Sequence, residues 1–312
     1  MTTGTSRRWA PDRRLSIFLI VVFLFSPWCQ SQADPGTSSS IDSSEASRKL
    51  WQTVISQADA LGLPTAFIKA ISPDFVTVEF DDLHAYAAEY HPDEHRMVLN
   101  QTLSFNAAGG VLKSLASLTS RDLGTLYHEL FHAYMDYISV IPTPSEIGSE
   151  ATRLLAFAKD RQECRYTQVA ITPILQRKSH TETRVLTDRE SWEALNETWA
   201  VFVGWAVWTL LEERGARPKK REKTRIGGER WLKRLEKANR DADLIGYYEP
   251  EDTAERAIAR KRYLAPSHRI SSAEVSILLQ EILEFPKELS VRSAAVMEHN
   301  RPSLSDVSSC RK

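Results

Sequence analysis

The chain has only three cysteines in 312 residues and no Cys-x-x-Cys pair, which excludes both a thiolate zinc knuckle and a paired-cysteine redox centre. It also lacks an excess of charge: 40 Lys and Arg against 41 Asp and Glu give a formal net charge of -1. A partner held through nucleic-acid phosphates calls for a basic surplus or a segregated basic face, so nucleic-acid binding is not expected. No internal repeat is present. No apolar run reaches the roughly 20 residues that span a bilayer, and the N-terminal one, Leu15 to Phe25, falls well short. No stable membrane span is therefore expected once the N-terminal segment is removed.

What is there suits a globular protein: 42% of residues are hydrophobic and 26% charged, enough for a sizeable core. Arg7, Arg8, Arg13 and Arg14 precede the run "LSIFLIVVFLF", and Ser31 and Ala33 supply small residues where a signal peptidase reads. Residues 1–33 are expected to be a Sec-type signal peptide cleaved near Ala33, which places the protein outside the cytoplasm, secreted or periplasmic. Cys29 leaves with that segment. Cys164 and Cys310 remain in a compartment where they could pair, although sequence alone does not assign the bond.

Residues 34–47 are Ser-rich without apolar periodicity and read as a solvated linker, residues 48–300 as one folded domain, and residues 301–312 as a flexible tail. Leu50, Val54, Ala58 and Leu61 form a helical stripe that stops at Gly62-Leu63-Pro64. Val76, Val78 and Phe80 alternate at strand period, and "HPDEH" joins two strands in a hairpin over His84–Asn100. Thr119 to Asp122 has the pattern of a capping box at the head of a helix running to about Ile138. A second helix follows the Pro-interrupted "IPTPSEIG". A third spans Asp188 to Glu213 and is apolar on every side from Trp199 to Leu211, which puts it at the centre of the fold. The fold class expected is α+β, with a small, mostly antiparallel N-terminal sheet ahead of a mainly helical C-terminal part. The basic stretch "RPKKREKTRIGGERWLKRLEKANR" reads as a solvated helix face.

The informative stretch is "TLYHELFHAYM", Thr125 to Met135. His128 and His132 stand four apart on a helix, so both imidazoles face one way and can share a metal ion. Glu129 lies about 100° round the helix from His128, beside such an ion, where it can take a proton from water. The flanking Leu126, Leu130, Phe131 and Ala133 are those of a helix threading a core.

These residues resemble the zincin metallopeptidases, whose His-Glu-x-x-His helix packs beneath a small sheet; the resemblance covers about Phe75 to Leu211. It implies a Zn2+ cofactor and peptide-bond hydrolysis with Glu129 as general base. It also implies a peptide or protein substrate that pairs with the last strand before the helix, expected to be an edge strand at Arg96–Asn100. Met135 and Ile138 stand where a metzincin has glycine and a third histidine, which leaves the gluzincin type, with a glutamate from a later helix as third ligand. Glu146, Glu150, Glu163, Glu193 and Glu197 are candidates. Glu197, in "NETWA" beside the small Ala200, resembles the thermolysin-like pattern and is favoured, with Glu150 as runner-up. Val201 departs from that pattern, which has an aspartate there to orient a ligand histidine; Asn196, Glu193 or Asp136 would have to serve. The oxyanion donor is sought among Tyr247, Tyr248, Tyr263 and His268, with Tyr248 favoured. The competing reading is a zincin-like metal-binding or regulatory protein without turnover, against which the retained Glu129 argues. Asn100 and Asn196 head glycosylation sequons within the expected edge strand and ligand helix; a sugar there would block the site, which favours bacterial export.

Overall fold

The computed structural model describes residues 39–84, 86–106, 110–141, 144–173, 181–215, 228–299 and 310. The signal-peptide reading of residues 1–33 and most of the 301–312 tail lie outside these. Among the described residues no helix is long and apolar enough to cross a membrane.

Helix α1, Ser39–Ala60, begins well before the stripe that predicts it. Leu50, Trp51, Val54 and Ala58 are buried. Ser47 is buried too: its Oγ accepts from the Val78 amide at 2.7 Å and donates to the Val76 carbonyl at 3.3 Å. The linker expected over residues 34–47 does not hold from Ser39 onward, where the Ser-rich segment is helical and its last serine is stitched to a strand, and residues 34–38 lie outside the described residues. Serine's hydroxyl, which makes it a linker residue in water, here meets two backbone groups. Gly62, at φ 62°, ends the helix region, and a short helix α2, Ala66–Ala70, follows.

Three strands come next: β1 (Thr77–Asp81), β2 (Ala88–His91) and β3 (Arg96–Asn100). β2 and β3 form the expected hairpin, closed by a 3-10 turn at Pro92–Glu94 and by His95 in the left-handed region, φ 48°. The spatial order is β1-β3-β2, with β1 parallel to β3. Two expectations are thereby corrected. The sheet is mixed, with one parallel and one antiparallel pairing, and Arg96–Asn100 lies in its middle. The reason is legible in "MVLN": Met97, Val98, Leu99 and Asn100 are all buried, the mark of a strand covered on both faces, whereas β2 alternates buried and half-buried residues. The edge strand beside the helix is β2.

Helix α3, Ser120–Val140, starts with the capping box read from Thr119 and Asp122. Helix α4, Pro144–Arg161, is broken by Gly148 at φ 80° and gives way to a π turn over Gln162–Tyr166. The antiparallel pair β4 (Gln168–Ile171) and β5 (Glu182–Val185) leads into helix α5, Asp188–Gly215. Its Ala194, Leu195, Trp199, Phe202, Val203 and Val207 are buried, and removing each such Leu, Val or Phe from water is worth roughly 1.5–3 kcal/mol. Helix α6, Gly228–Asp241, buries Trp231, Leu232 and Leu235. The remainder comprises β6 (Tyr247–Tyr248), α7 (Thr253–Ile258), β7 (Arg262–Tyr263), α8 (Ser272–Ile277) and α9 (Lys287–His299). Tail residue Cys310 is bonded to Cys164 after α4. The fold is α+β, with helices predominating over small sheets.

Helices α3 and α5 cross where Gly124 meets Gly204. A Cβ on Gly204 would lie 2.7 Å from the Gly124 carbonyl oxygen and 3.3 Å from the His128 Cβ. Two residues without side chains thus let the backbones touch, and this crossing sets how closely α3 and α5 approach.

Candidate metal centre

His128 and His132 project from one face of α3 toward α5, and Glu197 projects back from α5 about two turns before the glycine crossing. His132 Nε2 lies 3.0 Å from His128 Nε2. Glu197 spans both rings, with Oε1 3.4 Å from His132 Nε2 and Oε2 3.4 Å from His128 Nε2. Their potential ligand atoms all fall within 4.8 Å of one another, and among the described residues this is the group of His, Cys, Asp and Glu side chains so arranged. Atoms bound at roughly 2.0–2.1 Å around one tetrahedral ion stand about 3.3–3.4 Å apart, so the spacing suits a shared cation. Glu197 Oε2 is buried without a hydrogen-bond partner. Such an orphaned carboxylate oxygen, 3.4 Å from the His128 imidazole, is what a cation would satisfy.

Electrostatics agree with the geometry. Burial opposes charge on Glu197, yet the two imidazoles hold its carboxyl far below the usual range. Burial alone would depress His132, but the charge of Glu197 and its hydrogen bonding raise the ring's pKa to about 9. Glu129 is pushed up, chiefly by burial, against the pull of His128 and His132. Its Oε2 accepts the Tyr90 amide of β2 at 3.0 Å, and its Oε1 sits 3.9 Å from His128 Nε2. One oxygen is tethered to the sheet and the other points toward the imidazole pair.

The other acids that sequence leaves open do not join the group. Glu150 and Glu163 are exposed, and the side chain of Glu146 lies outside the described residues. Glu193, one turn before Glu197, accepts the Glu249 amide at 3.0 Å; burial first, and then the charges of Glu197 and Glu249, lift its pKa to about 7 against that bond. Asp136 does not serve His132: its Oδ2 takes the Tyr90 hydroxyl at 2.5 Å and the His95 Nδ1 at 2.7 Å. Asn196 lies near enough to His132 to favour its charged form, although its buried Oδ1 makes no hydrogen bond. Asn100 is buried, its Nδ2 donating to the Tyr86 carbonyl at 2.7 Å, so that sequon is not available to a sugar.

Tyr248 is not at the centre. It is buried on the opposite side of β6, among Arg262, Glu255, Glu190 and Arg184, with its phenol pushed up to about 12 mainly by burial. Tyr247, its neighbour, is the tyrosine on which Glu197, Glu129 and Glu193 act. Successive residues of a strand face opposite ways, and the register is fixed by Gly246, where an added Cβ would meet Thr198 Oγ1 at 2.3 Å and the Thr198 amide at 2.7 Å. Packed on α5 one residue past Glu197, β6 turns Tyr247 inward. Burial, then the nearby Glu197, then Glu129 and Glu193, raise the Tyr247 phenol well above its ordinary pKa. The signal available in sequence was the Gly-Tyr-Tyr order itself, which does not say which tyrosine faces α5. Tyr263 is largely exposed, with its ring 5.6 Å from that of Tyr247. His268 packs edge-on against Tyr166 at 5.5 Å, in contact with Arg165 and Glu274.

Compared with protein-family models, curated proteins and solved structures, the chain finds no match.

Proposed function

We propose that the chain is an exported, zinc-dependent peptidase of gluzincin type, with a zincin-like fold and His128, His132 and Glu197 as metal ligands. The observation that carries this reading is the meeting of two imidazoles and one orphaned carboxylate from separate helices, with a second carboxylate, Glu129, beside them but outside the ligand triangle. Zinc held there would polarise a substrate carbonyl and make water acidic enough to attack near neutral pH. Glu129 Oε1 accepts the proton of the attacking water and delivers it to the departing amine, while Oε2 stays on the Tyr90 amide and fixes the carboxylate plane. Tyr247 supplies the donor for the developing oxyanion, in the role that sequence suggests for Tyr248.

The peptide is best placed along β2. The Asn100 amide donates to the Ala87 carbonyl, so with the antiparallel register Ala87, Glu89 and His91 turn their backbone groups to β3, and Ala88 and Tyr90 turn theirs outward. The Tyr90 amide is given to Glu129. An extended substrate would pair with both backbone groups of Ala88 and the carbonyl of Tyr90, binding independent of its side chains. The test is zinc content and turnover together. Purified protein is expected to hold about one zinc per chain and to cleave a mixed peptide library, and Glu129→Gln to keep the zinc and lose cleavage. Wild type that binds zinc but cleaves nothing would instead support a metal-binding protein without turnover.

A further inference from the structure

Arg260, Lys261 and Arg262 are three consecutive cations leading into β7. Arg260 pairs with Glu249 at 2.9 Å, and Arg262 pairs with Glu255. Lys261, half-buried between them, has no carboxylate within ion-pairing distance among the described residues. Its ammonium lies instead on Tyr247, donating to the hydroxyl at 2.6 Å with Nζ 3.9 Å from the ring centroid. An ammonium has only protons to give. The Tyr247 oxygen therefore accepts from Lys261, and the phenol's single proton is left for another acceptor, on a ring whose surroundings include Glu197 and Glu129. A cation above a ring and at its hydroxyl also withdraws electron density from the O–H, which makes it a better donor.

We propose that Lys261 is a positioning residue for the reaction, acting through Tyr247: it fixes the direction of the phenol O–H and strengthens it as the donor to the oxyanion. The inference rests on the reading of the centre as a zinc peptidase and deepens it, because it separates ligand assembly, which needs His128, His132 and Glu197, from oxyanion recognition, which needs the β6–β7 pair. Among the described residues Lys261 makes no hydrogen bond or ion pair to the ligands or to β2, along which the peptide is placed; its effect should fall on the turnover step and leave substrate and metal binding alone.

The test is a pair of variants and their combination. Lys261→Met keeps the stem and removes the donor, and Lys261→Arg restores a cationic donor. Lys261→Met is expected to lower kcat about tenfold with KM within about twofold and zinc stoichiometry unchanged, the loss belonging to the transition state alone. It should also weaken binding of a phosphonamidate peptide analogue, whose tetrahedral anion stands in for the oxyanion, by a similar factor, while leaving binding of an uncleaved parent peptide to the Glu129→Gln protein unaltered. In a Tyr247→Phe background the same Lys261 change should have no further effect, and Lys261→Arg should recover part of the loss. Normal kcat and phosphonamidate binding in Lys261→Met, or an equal loss in the Tyr247→Phe background, would overturn the assignment while leaving the peptidase reading intact. Wild-type protein that binds zinc but neither turns over peptide nor binds the phosphonamidate would end the peptidase reading and the role of Lys261 with it.

Discussion

Gly204 stands against Gly124 so closely that a methyl group on the former would meet the latter's carbonyl oxygen at 2.7 Å. Both are helix-interior positions, where alanine would ordinarily gain about 1 kcal/mol over glycine. Here the backbone it would strike cannot rotate away, and overpacking of this kind costs roughly 1–3 kcal/mol. Gly204→Ala is therefore expected to be neutral to destabilising in denaturant unfolding. It should also weaken zinc binding, because the helices must part at the crossing that holds Glu197 over His128 and His132. Zinc titration of Gly204→Ala showing wild-type affinity would mean that the crossing does not set the ligand spacing.

Zinc binding by glutamate variants tests the third ligand directly. Glu197 is 3.4 Å from each imidazole, whereas Glu150 is exposed on α4. Glu197→Ala should lose bound zinc, and Glu150→Ala should keep about one equivalent, the number a three-residue tetrahedral site holds. The reverse pattern would move the ligand to α4.

The parts of this arrangement that sequence displays are those governed by helical period. Residues four apart on a helix must share a face, so His128, His132 and the offset of Glu129 are read directly, and the apolar run Trp199 to Leu211 of α5 announces its central place. Glu197 is legible as one of several acids, but its selection depends on where α5 crosses α3, which two glycines decide and no local pattern prints. The strand features are harder. The place of β3 just before α3 suggests an edge, although its consecutive buried residues mark an interior strand, and the choice between Tyr247 and Tyr248 turns on the contact of Gly246 with Thr198, made across 48 residues of chain. Ser47 resembles a linker residue in sequence because its role is a pair of hydrogen bonds to a distant strand. Cys164 and Cys310 pair across a sequence separation of 146, a closure that only the packed fold assigns.

Tyr90 ties three elements together: its amide reaches Glu129 on α3, its hydroxyl reaches Asp136 further along the same helix, and Asp136 in turn holds His95 at the hairpin's turn. Tyr90→Phe leaves the amide and removes the hydroxyl from a largely buried carboxylate. A hydrogen bond to a charged group contributes about 1.5–3 kcal/mol, so unfolding free energy should fall by that order, with zinc content unchanged. Unaltered stability would show that water replaces the hydroxyl on Asp136 without loss.

Acid should destabilise the fold through His268. Its Nε2 is buried without a hydrogen-bond partner, and burial first, then the neighbouring Arg165, depress its pKa to about 4 despite the opposing charge of Glu274. The unfolded chain would take up the same proton near pH 6.5. Between these values the unfolded state binds more protons than the folded one, so stability must fall as pH falls through that window; above about 6.5 the contribution is fully present, and below about 4 it is gone. A displacement of this size is worth about 3 kcal/mol. Replacing the ring by a group that cannot titrate, as in His268→Gln, should flatten the curve over pH 6.5 to 4, whatever it does to stability at neutral pH. The arrangement near Tyr166 gives this slope a structural cause, since a proton on the buried His268 Nε2 would gain no hydrogen-bond partner and would stand near the Arg165 guanidinium. Parallel stability–pH curves for wild type and His268→Gln across that window would show that the ring opens to solvent before it charges.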